Sequence, residues 1–183
     1  MNIGFDLDGI FIGSPPFLPR DLIEWLYRGP QDHEPKYRFP STWIEQKIRK
    51  WSHQSALRPQ ISKNVEFLKH FSAQGKHKVF LISSRYSFLK AETDEILKKY
   101  QLKKYFYRIY LNSDNLQPHI FKEEILKKLN LDLFIEDDFM LLKYLSGRFS
   151  KIKLLWYNEG ESAKLPEGIK HIKSLNEIYT YLT

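Results

Sequence analysis

Hydrophobic and polar residues follow two periods along the chain. Short runs of β-branched, aromatic and leucine residues, each bounded by polar residues, predict buried strands at 2–6, 78–83, 107–111, 132–135 and 152–156. Between them, apolar residues recur at helical spacing over 62–74, 87–100, 119–129 and 138–146. A last helix is expected from Ser174, because Glu177 completes a capping box. Strands that alternate with helices predict an α/β fold with a doubly wound, parallel, five-stranded Rossmann-like sheet.

Residues 11–60 break this alternation. The segment is rich in proline, and it contains helical patches at 20–28 and 41–55. We expect a small α-helical cap inserted after the first strand, with residues 1–10 and 61–183 forming the α/β core. Four cap aromatics are candidates for stacking on a base or sugar, or else for forming the cap's own core: Phe17, Trp25, Trp43 and Trp51.

The length, cysteine content and charge of the chain limit the kinds of protein that it can be. A chain of 183 residues suits one domain with room for a small insertion. The absence of cysteine excludes disulfides, thiolate metal sites and thiol nucleophiles. No signal peptide or membrane-spanning run is visible, so the sequence predicts a soluble, cytoplasmic protein without membrane contact. The net charge of +7 indicates either an anionic partner, such as nucleic acid or a phosphorylated metabolite, or merely a lysine-rich surface.

Acidic residues stand at the ends of two predicted strands. Asp6 and Asp8 end the first strand, and Gly9 lets the chain turn away there. Residues 136–138, Glu-Asp-Asp, end the fourth strand. Ligands of parallel sheets bind at these carboxyl ends. Carboxylates gathered there would repel one another unless a cation neutralised them, and hard oxygen ligands favour Mg²⁺.

Hydroxyl and cationic side chains also lie near the predicted strand ends and helix starts. The second strand ends in Ser83-Ser84-Arg85, and Lys122 lies near the start of the helix before the fourth strand. Hydroxyl donors and positive charges suit phosphate oxygens. Each of these acidic, hydroxyl and cationic residues is common by itself in turns, helix caps or solvated surfaces. Their occurrence together at strand ends and helix starts favours a phosphate-binding site. The six histidines show no ligand spacing and are interpreted as surface or packing residues.

The four segments resemble the motifs of the haloacid-dehalogenase-like (HAD) phosphohydrolase superfamily. The sequence IGFDLDGI at 3–10 is similar to the first motif, VFLIS at 79–83 to the second, Lys122 to the third and FIEDD at 134–138 to the fourth. Within the superfamily, KEEILKKLNLDLFIED at 122–137 is similar to the 5′(3′)-deoxyribonucleotidase-like group. The resemblance implies a Rossmann-like core with a small cap between the first and second motifs.

The resemblance also implies roles. Asp6 would be the nucleophile, and Asp8 the general acid and then the general base. Ser83 would donate to a phosphoryl oxygen, and Lys122 would balance charge. Mg²⁺ would be held by Asp6, the backbone carbonyl of Asp8, and Asp137.

Some assignments stay open at this level. The metal-binding acid of the fourth motif is Asp137 by alignment, with Glu136 next and Asp138 also available. Ser84 takes the role of Ser83 if the strand runs one residue longer. Gly9 provides the turn beside the substrate, and Arg85 contacts phosphate or the cap, or is an exposed structural residue.

The implied activity is that of a Mg²⁺-dependent phosphomonoester hydrolase that forms an aspartyl-phosphate. The expected partner is a small phosphorylated substrate, with a 5′-nucleotide as one form of it. The alternatives are a phosphatase for nucleic-acid ends or a sugar phosphate, and a catalytically silent domain that binds a phosphorylated ligand. Neither the substrate nor the oligomeric state follows from the sequence.

Overall fold

The computed structural model describes residues 1–16, 37–160 and 165–182, and within them it contains one parallel sheet. The sheet has the order β3-β2-β1-β4-β5-β6, with every neighbouring pair parallel. Its strands are β1 (Asn2–Phe5), β2 (Lys78–Tyr86), β3 (Arg108–Asn112), β4 (Leu133–Glu136), β5 (Lys153–Tyr157) and β6 (Ile169–Ile172). The predicted doubly wound α/β fold is confirmed.

The predicted count of five strands was wrong. The sheet has a sixth strand, β6, at one edge. Its four residues pair with β5 from Leu154↔Ile169 to Tyr157↔Ile172. Only Ile169 and Ile172 are buried, and the polar Lys170 and His171 between them hide the apolar signal of a strand.

Five α-helices occur in the described part of the chain. They are α1 (Trp43–Ser52), α2 (Ser62–Ala73), α3 (Lys90–Lys99), α4 (Pro118–Leu129) and α5 (Phe139–Ser146). The final segment forms the predicted capping box, in which Ser174 and Glu177 each accept from the other's backbone N–H, but Leu175–Tyr181 is a 3₁₀-helix. No helix in the described ranges is long and apolar enough to cross a membrane.

Two apolar layers cover the sheet. On one face, β-strand residues such as Phe5 and Leu81 share a cluster with Phe71 of α2 and Leu97 of α3. On the other face, Phe134 of β4 clusters with side chains of α4 and α5. Both faces are therefore buried, as the near-continuous apolar strands require.

The strand order reverses at β1. This strand lies between β2 and β4, so the chain winds outward from it in both directions. Helices α2 and α3 belong to one cluster and α4 and α5 to the other, which leaves a crevice at the carboxyl end of β1. The loop that carries Asp6, Asp8 and Gly9 opens into that crevice.

The two ends of the segment 11–60 lie side by side. Ile12 and Gln60 form an antiparallel bridge, and the N–H of Gly13 donates to the carbonyl of Pro59 at 2.8 Å. Helix α1 lies within the predicted patch 41–55, whereas the patch 20–28 lies outside the described residues, as do Phe17 and Trp25.

The two described cap tryptophans lie on the surface. Trp43 is 65% exposed and Trp51 is 54% exposed, so neither packs inside a cap core. Neither residue lines the cavity described below.

Candidate active site

A cavity of about 420 Å³ opens at the carboxyl ends of β1, β2 and β4. The cavity is lined by residues at these three strand ends, on α4 and in the segment 11–60. Among them are Asp6, Asp8, Gly9, Arg49, His53, Arg58, Ser84, Arg85, Tyr86, Lys122, Glu136, Asp137 and Asp138. Of the residues predicted to act in catalysis or to bind metal or phosphate, the structure brings all except Ser83 to this cavity.

Gly9 allows the loop after β1 to approach the end of β4. Its φ of +72° lies in the left-handed region, which disfavours residues with a Cβ. A Cβ built at this position would lie 1.9 Å from Oδ2 of Asp137. The absence of a side chain therefore places Asp137 beside the β1 loop.

Lys122 lies between two carboxylates at the floor of the cavity. Its Nζ is 2.7 Å from Oδ1 of Asp6, and it also donates to Oε2 of Glu136. All three residues are buried. A buried ammonium group of this kind is stable only because both carboxylates pair with it.

The charges of this floor perturb one another. Burial disfavours the charge on Lys122, but Asp6 and Glu136 outweigh burial and raise the pKa of the ammonium group. Burial raises the pKa of Asp6, and it raises the pKa of Glu136 well above its usual value, although Lys122 opposes both shifts. The floor therefore carries more acid groups than its one cation neutralises.

Asp137 is a third acidic residue whose pKa is raised. Burial, followed by the carboxylates of Asp6 and Asp138, raises the pKa of Asp137 to about 7. Oxygen atoms of Asp6, Glu136 and Asp137 all lie within 4.8 Å of one another. Three hard oxygen donors at this spacing could hold a metal ion.

Asp8 belongs to a different network from Asp6. Arg85 donates to Asp8 twice, from Nε to Oδ2 and from Nη2 to Oδ1, both at 2.7 Å, and Nη2 of Arg58 also donates to Oδ1. Burial by itself would raise the pKa of Asp8, but the two guanidinium groups hold it well below its usual range. Arg85 is buried, which rules out the exposed structural interpretation of that residue.

The two serines at the end of β2 lie in different places. Ser83 is buried, with 1% of its surface exposed, whereas Ser84 lines the cavity. The pairing of β2 with β3 shifts register between Ser83 and Tyr86, so the strand continues past the predicted end at residue 83. Of the two hydroxyls, only that of Ser84 belongs to a cavity-lining residue.

Asp138 caps a helix. Its carboxylate accepts from the N–H groups of Met140 and Leu141 at the start of α5, and from the hydroxyl of Tyr37 at 2.5 Å. These contacts account for the third acid of the fourth motif without a metal.

Sequence reasoning missed the contribution of the insertion to this cavity. Arg49, His53 and Arg58 are all buried and line it. Burial, together with the guanidinium groups of Arg85 and Arg58, lowers the pKa of His53 well below its usual value, so its imidazole is neutral. His53 is a packing residue, as expected, but it packs at the site. Isolated arginines in a proline-rich segment carry no pattern that would have revealed them.

Sequence comparisons find no relative. No protein-family profile matches the chain, and no curated protein matches it in sequence.

Solved structures, in contrast, share its fold. A β-phosphoglucomutase from the archaeon Pyrococcus sp. strain ST 04 is similar with a TM-score of 0.59 and 13% identity, over 99% of this chain and 98% of that chain. A HAD-superfamily hydrolase from Ehrlichia chaffeensis is similar with a TM-score of 0.55 and 12% identity, over 98% and 94% of the two chains. At these identities the likeness establishes a HAD-like α/β fold.

One structural neighbour is a chain of the Pnkp1/Rnl/Hen1 RNA repair complex. The TM-score is 0.51, the identity is 16%, and the match covers 87% of this chain. It spans 43% of the neighbour's length, so less than half of that chain has a counterpart here.

Proposed function

We propose that this protein is a Mg²⁺-dependent phosphomonoester hydrolase that works through an aspartyl-phosphate on Asp6. The observation that carries the proposal is the convergence of Asp6, Lys122 and Asp137 at the carboxyl end of β1. This crevice is where parallel α/β sheets bind their ligands.

The donor set fits Mg²⁺. Asp6 and Asp137 would hold the ion with the backbone carbonyl of Asp8, while Glu136 pairs with Lys122. Burial, and then the neighbouring carboxylates of Asp6 and Asp138, raise the pKa of Asp137, and a divalent cation would supply the positive charge that offsets both effects. When bound, Mg²⁺ would offset the negative charge on the nucleophile and on the phosphoryl oxygens.

In the first step, a carboxylate oxygen of Asp6 attacks phosphorus in line with the leaving oxygen. The bond between phosphorus and the ester oxygen breaks, and that oxygen takes a proton from Asp8. The contacts with Arg58 and Arg85 keep Asp8 ionised in the unliganded site. Before the first step Asp8 must therefore bind a proton from solvent, which becomes favourable once the guanidinium groups turn from Asp8 to the substrate phosphate.

In the second step, water attacks the phosphorus of the aspartyl-phosphate. Asp8, now ionised, accepts a proton from that water, and the bond between phosphorus and Asp6 breaks to release inorganic phosphate. Lys122 keeps the Asp6 carboxylate charged and oriented for the first step and again stabilises it as the leaving group of the second, and Ser84 would donate to a phosphoryl oxygen. Ser83 would need to rotate out of a buried position to do so.

Among substrates, we propose a nucleotide. A phosphatase for nucleic-acid ends is the second candidate, favoured by the buried arginines of the cavity and by the fold shared with a chain of an RNA repair complex. The two candidates differ in length of substrate, so salt-sensitive binding of an oligonucleotide with a terminal phosphate would favour the second.

The test is phosphate release from a panel of nucleotides, sugar phosphates and phosphorylated oligonucleotides, with Mg²⁺ or with EDTA. We expect activity with Mg²⁺ that EDTA abolishes and that Asp6→Asn reduces by at least 10³-fold. An Asp114→Asn variant, altered at an exposed carboxylate, is the matched control and should retain wild-type activity. Hydrolysis that survives EDTA or Asp6→Asn would overturn the proposal.

A further inference from the structure

We infer that Trp156 is a positioning residue for the metal centre, because its indole N–H holds the peptide group that follows Asp137 and so keeps the carboxylate of Asp137 beside that of Asp6. The inference deepens the proposed function and rests on it, since it takes Asp137 as a ligand of Mg²⁺. Trp156 lines the cavity, but it lies on β5, which carries none of the four motifs.

The indole of Trp156 reaches across the end of β4. Trp156 is the register partner of Glu136, the last residue of that strand. Its Nε1 donates to the backbone carbonyl of Asp137, the next residue along the chain, at 3.0 Å. An indole nitrogen is only a donor, and here its acceptor is the carbonyl of Asp137, so the bond uses neither of that residue's carboxylate oxygens.

The same peptide group is held at its other end. The N–H of Asp138 belongs to the peptide group that contains the carbonyl of Asp137, and it donates to Oε1 of Glu136 at 3.2 Å. Because the peptide group is planar, turning it about its flanking bonds would break both hydrogen bonds at once. With the backbone fixed in this way, only the side-chain torsions of Asp137 remain to be set.

Glu136 connects this peptide group to the proposed nucleophile. Its other oxygen, Oε2, accepts from Lys122, whose Nζ also donates to Oδ1 of Asp6 at 2.7 Å. A continuous chain of hydrogen bonds therefore runs from Trp156 on β5, through the peptide group after Asp137, to the floor of the cavity. Such outer contacts orient the ligands of a metal ion before the ion binds, which raises its affinity.

Packing fixes the direction of the indole. Its ring contacts those of Phe139, at the start of α5, and His171 on β6, with each centroid 5.1 Å from that of the indole. His171 is itself held, because its Nε2 lies 2.6 Å from the carbonyl oxygen of Asn158. A phenylalanine at position 156 would keep most of this apolar contact and lose only the N–H donor.

The first experiment measures the binding of Mg²⁺ alone by calorimetry, without substrate. We expect Trp156→Phe to bind the ion at least about fivefold more weakly than the wild type, because the peptide group after Asp137 loses one of its two hydrogen bonds. Trp51→Phe makes the same chemical change at a tryptophan that is 54% exposed and outside the cavity. This control should bind Mg²⁺ as the wild type does.

A double-mutant cycle shows whether the effect passes through Asp137. Asp137→Asn should itself weaken Mg²⁺ binding, and adding Trp156→Phe to it should cause less than about a twofold further loss. A merely structural role for Trp156 would instead give the same loss in both backgrounds.

A spectroscopic measurement on the wild-type protein keeps the inference testable if Trp156→Phe does not fold. The indole N–H resonance of Trp156 is identified in a ¹⁵N-labelled sample by its nuclear Overhauser effects to the ring of Phe139. We expect this resonance to shift on titration with Mg²⁺, with the same midpoint as the calorimetric curve. The indole resonance of Trp51 should not move.

Equal Mg²⁺ affinity in the wild type and in Trp156→Phe would overturn the inference, as would an indole resonance of Trp156 that Mg²⁺ does not shift. A variant that loses affinity for a nucleotide but keeps its Mg²⁺ affinity would also overturn it, and would make Trp156 a substrate contact.

The two proposals fail separately. Binding of Mg²⁺ that depends on Trp156, in a protein that hydrolyses none of the panel, would refute the hydrolase and leave the positioning role. Hydrolysis that requires Mg²⁺, with equal Mg²⁺ affinity in the wild type and Trp156→Phe, would do the reverse. A wild-type protein that binds no Mg²⁺ would overturn both.

Discussion

Gly9 is the residue on which the geometry of the acidic floor depends most directly. The first motif offers two reasons for a glycine at this position, a left-handed turn and close backbone approach, and the structure shows both at once. The cost of a side chain here would therefore have two parts, one in the backbone and one in the position of Asp137.

Gly9→Ala should weaken both folding and metal binding. The positive φ should cost about 1–2 kcal/mol of unfolding free energy, and displacement of Asp137 should lower Mg²⁺ affinity more than tenfold. Gly75 is a matched control, because its φ is +65° and a Cβ there meets nothing within 4 Å. Gly75→Ala should therefore lose only the unfolding free energy that the positive φ costs, and should keep its Mg²⁺ affinity. Urea denaturation and Mg²⁺ titration measure the two parts, and equal Mg²⁺ affinity in both variants would contradict the account.

Asp137 makes the metal-free protein sensitive to pH. Its folded-state pKa of about 7 lies above the ordinary value of 3.8, so the folded protein binds the extra proton and its stability falls as pH rises from about 4 through 7. Asp137→Asn removes this penalty. In EDTA at pH 8 the variant should be about 1–3 kcal/mol more stable than the wild type, and at pH 4 the difference should vanish. Urea denaturation at both pH values checks this, with Asp114→Asn as the exposed control; an Asp137→Asn protein less stable at pH 8 would contradict it.

Among the elements, α2 stabilises the loop after β1, which carries Asp6, Asp8 and Gly9. Asn64, in the first turn of this helix, is 2% exposed, and its Nδ2 donates to the carbonyl of Ile10 at 2.6 Å. The hydroxyl oxygen of Tyr157 on β5 lies 2.8 Å from Oε1 of Glu159 and 3.4 Å from Oδ1 of Asn64, so its one proton can be donated to either oxygen. One amide thus joins α2 and β5 to the residue that follows Gly9.

Asn64→Ala should loosen this loop. The carbonyl of Ile10 would lose a buried hydrogen bond, so the unfolding free energy should fall by about 1–3 kcal/mol. Tyr157 keeps Glu159 as an acceptor, so the loss should be confined to the Ile10 side. Urea denaturation measures the change, and Asn176→Ala, at an exposed position, is the control. A loss no larger in Asn64→Ala than in Asn176→Ala would refute this role for Asn64.

At the scale of the whole molecule, the sequence predicted the strands and helices that have a clear pattern of apolar residues within a few positions. The strand ends predicted Asp6, Asp8 and Asp137, because parallel strands bring their carboxyl ends to one edge, whereas Lys122 on α4 was predicted from its likeness to the third motif. Arg58 could not be predicted, because its contact with Asp8 joins residues 50 positions apart through an irregular insertion. The 3₁₀ form of Leu175–Tyr181 could not be predicted either, because a capping box and apolar residues at helical spacing also suit an α-helix.

The net charge of +7 also acts at this scale. A basic molecule attracts an anionic substrate over a distance, so kcat/KM should fall several-fold as ionic strength rises from about 20 to 200 mM, mainly through KM. The measurement is steady-state phosphate release at constant free Mg²⁺. A kcat/KM that rises or stays constant with salt would show that the charge does not guide the substrate.

The most direct test of the central claim is to look for the covalent intermediate. The wild-type protein with Mg²⁺ and a nucleotide that it hydrolyses is quenched in acid during turnover, and its peptides are analysed by mass spectrometry. We expect one phosphoryl group on the peptide that contains Asp6, absent with EDTA and absent in Asp6→Asn. Turnover with no phosphorylated Asp6 peptide, in a protein whose Asp6→Asn variant remains active, would contradict it.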